Sequence, residues 1–168
     1  MIAAIHLNSL KTKKINIQKN QHVWLRSRAF DFGNPFLRLN LMSRHKVIKT
    51  EFAPAAIGPY SQAVCAGNMV FVSGQLGINP KTGQLVEGGI EPQTRQALEN
   101  VKSILYMEAL AMKDVVQVQV FLADIKDFAA MNEIYAEYFA EPYPSRAAFQ
   151  VAALPKDGLV EIMAVAVL

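Results

Sequence analysis

Residues 52–80 contain no Asp, Glu, Lys, Arg or His. An uncharged run of this length is either a membrane span or a series of buried elements. Its punctuation decides between them. Pro54, Gly58, Pro59, Gly67, Gly74, Gly77 and Pro80 interrupt it, with Asn and Gln scattered between. No spanning helix tolerates that density of breakers, so the run reads as buried strands and turns. Ala63–Ala66 and Met69–Ser73 are expected strands, joined by Gly67-Asn68 as a hairpin turn pair. The segment from Ala53 to Tyr60 is a loop stiffened by two prolines and a glycine, and 79–83 (Asn-Pro-Lys-Thr-Gly) is a further turn.

The rest of the domain alternates helix and strand signals. A short strand is expected at Val47–Thr50. Residues 92–112 have helical spacing: Ala97, Val101, Ile104, Leu105 and Ala111 or Met112 share a side, with Pro92 suited to the first turn. Val115–Leu122 alternates as a strand does. Asp124 or Asp127 caps a second helix running to about Ala140, with Phe128, Met131, Ile134, Tyr135 and Tyr138 as its apolar side. Two last strands, Ser145–Val151 and Leu159–Val167, are joined by the turn 155–158. The order β-β-β-α-β-α-β-β predicts an α+β fold, one mixed sheet with both helices on one face. The other face has no helix to cover it. With 52% apolar and only 18% charged residues, the economical cover is another subunit.

Charge divides the chain in two. Residues 1–49 carry ten Lys or Arg against one acid, Asp31, whereas residues 50–168 carry seven bases against thirteen acids. The basic pI therefore belongs to the N-terminal segment, and no nucleic-acid partner is expected for the folded part. Residues 1–41 show no sustained period and are expected to form a basic extension to a domain at 42–168. The short apolar run before Lys11, broken by His6 and Asn8, does not make a secretory signal. Two readings remain. Met42 is the true start and the protein is cytoplasmic, which is the favoured one, or residues 1–41 are a mitochondrial or plastid transit peptide.

His6, His22 and His45 all precede residue 50, so the domain has no histidine for a Ser-His or Cys-His nucleophile or a histidine metal site. Cys65 is the only cysteine, which excludes an intrachain disulfide and a cysteine zinc cluster; it reads as a small buried thiol. No phosphate loop, dinucleotide fingerprint, zinc-protease helix or nucleophile elbow is present. What remains are polar residues in apolar settings. Arg146 opens an apolar strand, where a guanidinium needs a partner. That partner is either an acid, in a structural ion pair, or a ligand carboxylate in a bidentate clamp. Glu161 lies between Leu159-Val160 and Ile162-Met163, either as that ion-pair acid or as a general acid/base with a raised pKa. Tyr60 follows the rigid Gly58-Pro59 pair. Gly74, between Ser73 and Gln75, permits a bulge or the close approach of a ligand. Asn132 falls on the second helix.

Taken together these residues resemble the RidA/YjgF family of enamine/imine deaminases. The similar blocks are 55–63 (Ala-Ala-Ile-Gly-Pro-Tyr-Ser-Gln-Ala), 72–75 with 79–83, 128–132 with Tyr135 and Phe139, 142–148, and 154–157 with 160–162. The resemblance covers about residues 46–168. It implies a chorismate-mutase-like fold and a homotrimer with sites in the clefts between subunits. It also implies hydrolysis of 2-imino acids to 2-keto acids and ammonia, with no cofactor and no metal. Carried over residue by residue, Arg146 binds the substrate carboxylate and Glu161 positions or activates water. Tyr60, Ser73, Gly74 and Asn132 line the pocket. Ala148 stands in the substrate wall where some members have a cysteine, and Met163 replaces an acid often found there. The alternative is a non-enzymatic trimer that binds a small carboxylate.

Overall fold

The structure, a computed structural model, describes residues 45–168; the expectations for residues 1–41 lie outside the described residues. Eight principal elements follow one another: β1 (His45–Ile48), β2 (Ala63–Ala66), β3 (Met69–Leu76), α1 (Ile90–Tyr106), β4 (Val115–Leu122), α2 (Phe128–Tyr138), β5 (Ser145–Gln150) and β6 (Val160–Val167). They form one six-stranded mixed sheet in the order β1-β2-β3-β6-β4-β5. β1, β2 and β3 make an antiparallel meander whose second turn is Gly67-Asn68; Gly67 takes the left-handed conformation that this tight turn demands, at φ 65°. The last strand, β6, is inserted antiparallel between β3 and β4. β4 and β5 are parallel, with α2 as the crossover.

Strand alternation sorts residues to two faces. Val70 and Val72 of β3, Val118, Val120 and Leu122 of β4, and Ile162, Ala164 and Ala166 of β6 are at most 3% exposed. They form the core with Ala97, Leu98, Val101, Ile104 and Leu105 of α1 and Met131, Ile134 and Tyr135 of α2. α1 packs on β3 and β6 and against α2. Truncating the fully buried Leu98 to alanine at the centre of this layer costs about 2–5 kcal/mol. The opposite parity is open: Phe71, Met163 and Phe149 remain 44%, 37% and 54% exposed. The α+β sheet with two helices and one uncovered apolar face is thus present as expected.

Boundaries differ in two informative places. The first helix ends at Tyr106, not 112: Ala109 turns left-handed at φ 57°, and the Leu110 amide closes back on the Leu105 carbonyl at 3.1 Å. Met112 is buried as anticipated, but from a separate short turn at Met112–Asp114, so its helical spacing is coincidental. The third strand runs past Ser73 to Leu76, because a bulge sets Ser73 and Gly74 of β3 against the single residue Met163 of β6. Asp124 caps the short turn Ile125–Asp127 through the Lys126 amide at 2.9 Å, and Asp127 stands at the N-cap of α2. Among the described residues no helix is long and apolar enough to cross a membrane.

Candidate active site

A cleft of about 630 Å³ opens on the uncovered face, between the 54–60 loop, the β3 bulge and the start of β6. Tyr60, Ser73, Gly74, Glu161 and Met163 line it. The loop is held by a residue whose part was not evident from the sequence. Gln62, 3% exposed, donates its side-chain amide to the carbonyls of Thr50, Ala53 and Pro54 at 3.0, 3.1 and 2.8 Å, and its Oε1 accepts from the Thr50 amide at 2.8 Å. A buried amide satisfied this fully fixes the loop rather than binding a ligand. Its signal in the sequence was a glutamine inside an uncharged run. Ser73 Oγ donates to the Ser61 carbonyl at 2.7 Å, so its proton is committed and only its lone pairs face the cleft.

Glu161 enters the cleft from β6, opposite Leu76 and Phe121. The bulge brings Gly74 against it so closely that a Cβ there would overlap the carboxylate. This explains the glycine: the side chain it lacks would occupy the space of Glu161. Burial pushes the Glu161 carboxyl above its ordinary range. Among the described residues it has no ion-pair partner; the pairs present are Lys46–Glu108, Arg95–Glu137, Lys102–Glu99 and Lys126–Asp124.

Arg146 and Ala148 do not line this cleft. β5 pairs Arg146 with Val118 and Ala148 with Val120, both core residues, so the two point to the helix-covered face at the sheet's edge. There Arg146 Nη1 donates to Asn132 Oδ1 at 2.7 Å. The guanidinium carbon stands 4.4 Å from the Tyr135 ring centroid and 5.6 Å from that of Phe128. Phe128, Asn132 and Tyr135 are four and three residues apart and share one face of α2. The guanidinium is otherwise exposed.

An Arg146–Glu161 ion pair is therefore not formed in the chain. The two lie on opposite faces of the sheet, with β4 between their strands. The predicted residues gather into two half-sites, Tyr60-Ser73-Gly74-Glu161 in the cleft and Asn132-Arg146-Ala148 at the β5 edge. One half offers a desolvated acid/base, the other a planar cation with N–H groups to spare. Among the described residues no cluster of three or more His, Cys, Asp or Glu is placed to hold a metal ion.

The model of the family described as endoribonuclease L-PSP matches residues 50–168. The 2-iminobutanoate/2-iminopropanoate deaminase of Capra hircus is 52% identical over 122 residues, covering 73% of this chain and 89% of its own. The Arabidopsis thaliana protein called Reactive Intermediate Deaminase A, chloroplastic, is 46% identical over 137 residues, covering 80% of this chain and 73% of its own. Among solved structures, E. coli TdcF with bound serine superposes with a TM-score of 0.70 at 46% identity, covering 73% of this chain and 98% of its own.

Proposed function

The chain belongs to the endoribonuclease L-PSP family, that of the RidA/YjgF proteins, and from this premise we propose that it hydrolyses 2-imino acids to 2-keto acids and ammonia. The observation that carries the reading is the pair of half-sites. A guanidinium with no carboxylate partner among the described residues is held in place at one edge, and an unpaired, desolvated carboxylate lines a cleft on the other face. The desolvated carboxylate is costly to maintain without a use, and the exposed guanidinium keeps N–H groups free for a ligand.

The chemistry needs only these groups and water. A protonated 2-imino acid is electrophilic at C2. Arg146 fixes its carboxylate, which supplies orientation. Glu161 takes a proton from water as the oxygen bonds to C2, giving a carbinolamine. Glu161 then returns that proton to the nitrogen. As the C–N bond breaks, the carbinolamine hydroxyl forms the keto C=O and gives its proton back to the Glu161 carboxylate, which passes it to the departing ammonia. The 2-keto acid and ammonium leave, and Glu161 is again ionised. A carboxyl held above the ordinary range suits a group that must accept and return a proton.

Bringing the halves together requires a second copy. The edge bearing Arg146 and the cleft bearing Glu161 are different patches, so one protomer's edge meeting its neighbour's cleft is a heterologous contact. Such contacts close into rings when the rotation between neighbours divides a full turn, and build open filaments otherwise. The family resemblance supports a ring of three in a chorismate-mutase-like arrangement, and the exposed Phe71, Met163 and Phe149 offer the apolar surface to bury. The family description names a ribonuclease, but residues 50–168 carry thirteen acids against seven bases, which disfavours a polyanion in this cleft.

Location turns on residues 1–41. The match to the chloroplastic relative takes in 80% of the chain, whereas residues 42–168 make up about three quarters of it, so the match reaches upstream of Met42. This favours a transit peptide, with a plastid as the address, over a cytoplasmic protein starting at Met42.

The test of function is a coupled assay. Threonine dehydratase generates 2-iminobutanoate from threonine, and 2-oxobutanoate appearance is followed with and without the protein. Acceleration beyond the spontaneous rate is expected. Saturable binding of the keto acid without acceleration would move the non-enzymatic carboxylate-binding alternative ahead.

A further inference from the structure

We infer that Tyr135 is a positioning residue for the substrate carboxylate: its ring face holds the Arg146 guanidinium in the one plane that a bidentate clamp can use. The inference rests on the deaminase reading above and extends it to a residue that the sequence placed on the apolar side of α2 and in a family-like block, with no role in the site.

Three observations carry it. The Arg146 guanidinium carbon is 4.4 Å from the centre of the Tyr135 ring, well within cation–π range. Asn132 Oδ1 accepts from Nη1 at 2.7 Å, so one edge of the guanidinium is fixed and one face is covered. An arginine has five N–H donors in a rigid fork, and the Nη2 and Nε edge remains for a ligand. The Tyr135 ring is itself held. It is 5% exposed and stacks on Phe139 with centroids 4.4 Å apart. The platform is therefore rigid where the arginine alone, on an edge strand and exposed to solvent, would lose several rotatable bonds on binding.

The hydroxyl supports this division of labour. It is the one buried side-chain polar atom left without a hydrogen-bond partner among the described residues. Burial pushes it up to about 12, opposed in part by the adjacent Arg146 charge. A hydroxyl that makes no bond does not explain the residue; the ring does.

The experiment measures binding of 2-oxobutanoate and of 2-oxobutanamide, which lacks the carboxylate, by calorimetry on the full chain. Wild type is compared with Tyr135→Phe, Tyr135→Leu and a chain carrying 3,4,5-trifluorophenylalanine at position 135. Fluorination keeps the shape of phenylalanine and removes most of the negative ring face. Tyr135→Phe should bind the keto acid within about twofold of wild type, while Tyr135→Leu and the fluorinated ring should weaken it about three- to tenfold. Amide binding should not change. Because the fluorinated side chain packs like phenylalanine, that comparison stands even if Tyr135→Leu fails to fold. Equal binding by the phenylalanine and trifluorophenylalanine forms overturns the proposal. So does equal weakening for acid and amide, which marks a collapsed pocket. A wild type that shows no saturable 2-oxobutanoate binding overturns the clamp and the platform together. A wild type that binds normally but does not hydrolyse the imine overturns the deaminase reading, while the ring comparison still decides the platform.

Discussion

Gly74 and Glu161 exclude each other's alternatives. A Cβ at position 74 would overlap the Glu161 carboxylate and stand 2.6 Å from its carboxyl carbon. Gly74→Ala does not meet an obstacle in the backbone, since the clashing atoms are the end of a side chain that can swing away. The variant should fold with little loss of thermal stability and displace the carboxylate from the cleft. Imine turnover should fall at least about tenfold, approaching the roughly 10²-fold loss expected for Glu161→Gln. Wild-type turnover in Gly74→Ala would show that Glu161 acts from a different rotamer or not at all.

Glu161 also sets a pH dependence whose sign can be stated. Burial raises its pKa, so the folded protein holds this proton more tightly than the unfolded chain does. Between the ordinary carboxylate range and the raised value, stability from this group falls as pH rises. At neutral pH the charged, desolvated form is a burden that Glu161→Gln removes. The glutamine variant should therefore melt no lower than wild type at pH 7, with any advantage shrinking as pH falls through the raised pKa. Catalysis has the opposite slope: turnover should rise with pH through an acid limb lying above ordinary carboxylates, and Glu161→Gln should abolish that limb. Parallel melting curves and pH–rate profiles would check both signs.

Much of this was legible in the sequence because burial periodicity is written there. The two strands within the uncharged run 52–80, the alternation in 115–122 and the apolar side of α2 each correspond to an element in the fold. Phe52, Ile57 and Tyr60 of that run, however, are exposed in the protomer and not buried as expected. Arg146 and Glu161 were conspicuous because charges in apolar strands need a reason. Their faces were not legible. Side-chain parity depends on register, and register depends on pairings between distant strands and on the bulge at Ser73–Gly74. The helix end at Tyr106 was missed because Met112 continues the apolar period from another element. Gln62 and Tyr135 fell within the family-like blocks but were given no role, because a satisfied amide and a platform ring look like any glutamine or aromatic until their neighbours are known.

Arg146→Lys tests the clamp. With no ion pair to Glu161 in the chain, the substitution orphans no buried charge, and stability should change little. The lysine keeps the charge and loses the planar fork, so carboxylate binding should weaken by about 1.5–3 kcal/mol. Keto-acid titration on the folded variant measures this directly. Wild-type hydrolysis by Arg146→Lys would remove the clamp from the mechanism.

Assembly supplies a further check. Light scattering on residues 42–168 should give about three times the protomer mass. Phe149→Asp places a charge on the open face beside Phe121, at a position 54% exposed in the protomer, and should leave a folded protomer without turnover. A wild-type monomer at micromolar concentration would leave Arg146 and Glu161 with no means of meeting.

The split site predicts complementation between two dead proteins. Arg146→Ala keeps a working cleft and Glu161→Gln keeps a working edge. Each alone should lack imine hydrolysis. If every site takes Glu161 from one subunit and Arg146 from the next, mixed rings regain sites in which both residues are native. After unfolding and refolding at equal concentrations, a random ring has a native cleft at half its positions and a native neighbouring edge at half of those. About a quarter of wild-type turnover should therefore return. Mixing without refolding should restore less, because subunits must first exchange. A site built within one chain predicts the reverse: each protomer carries one lesion, and no mixture recovers activity. The measurement needs no structure of the assembly, and a refolded mixture as inactive as its parents would place both residues on the same subunit's site, against the opposite sheet faces they occupy in the protomer.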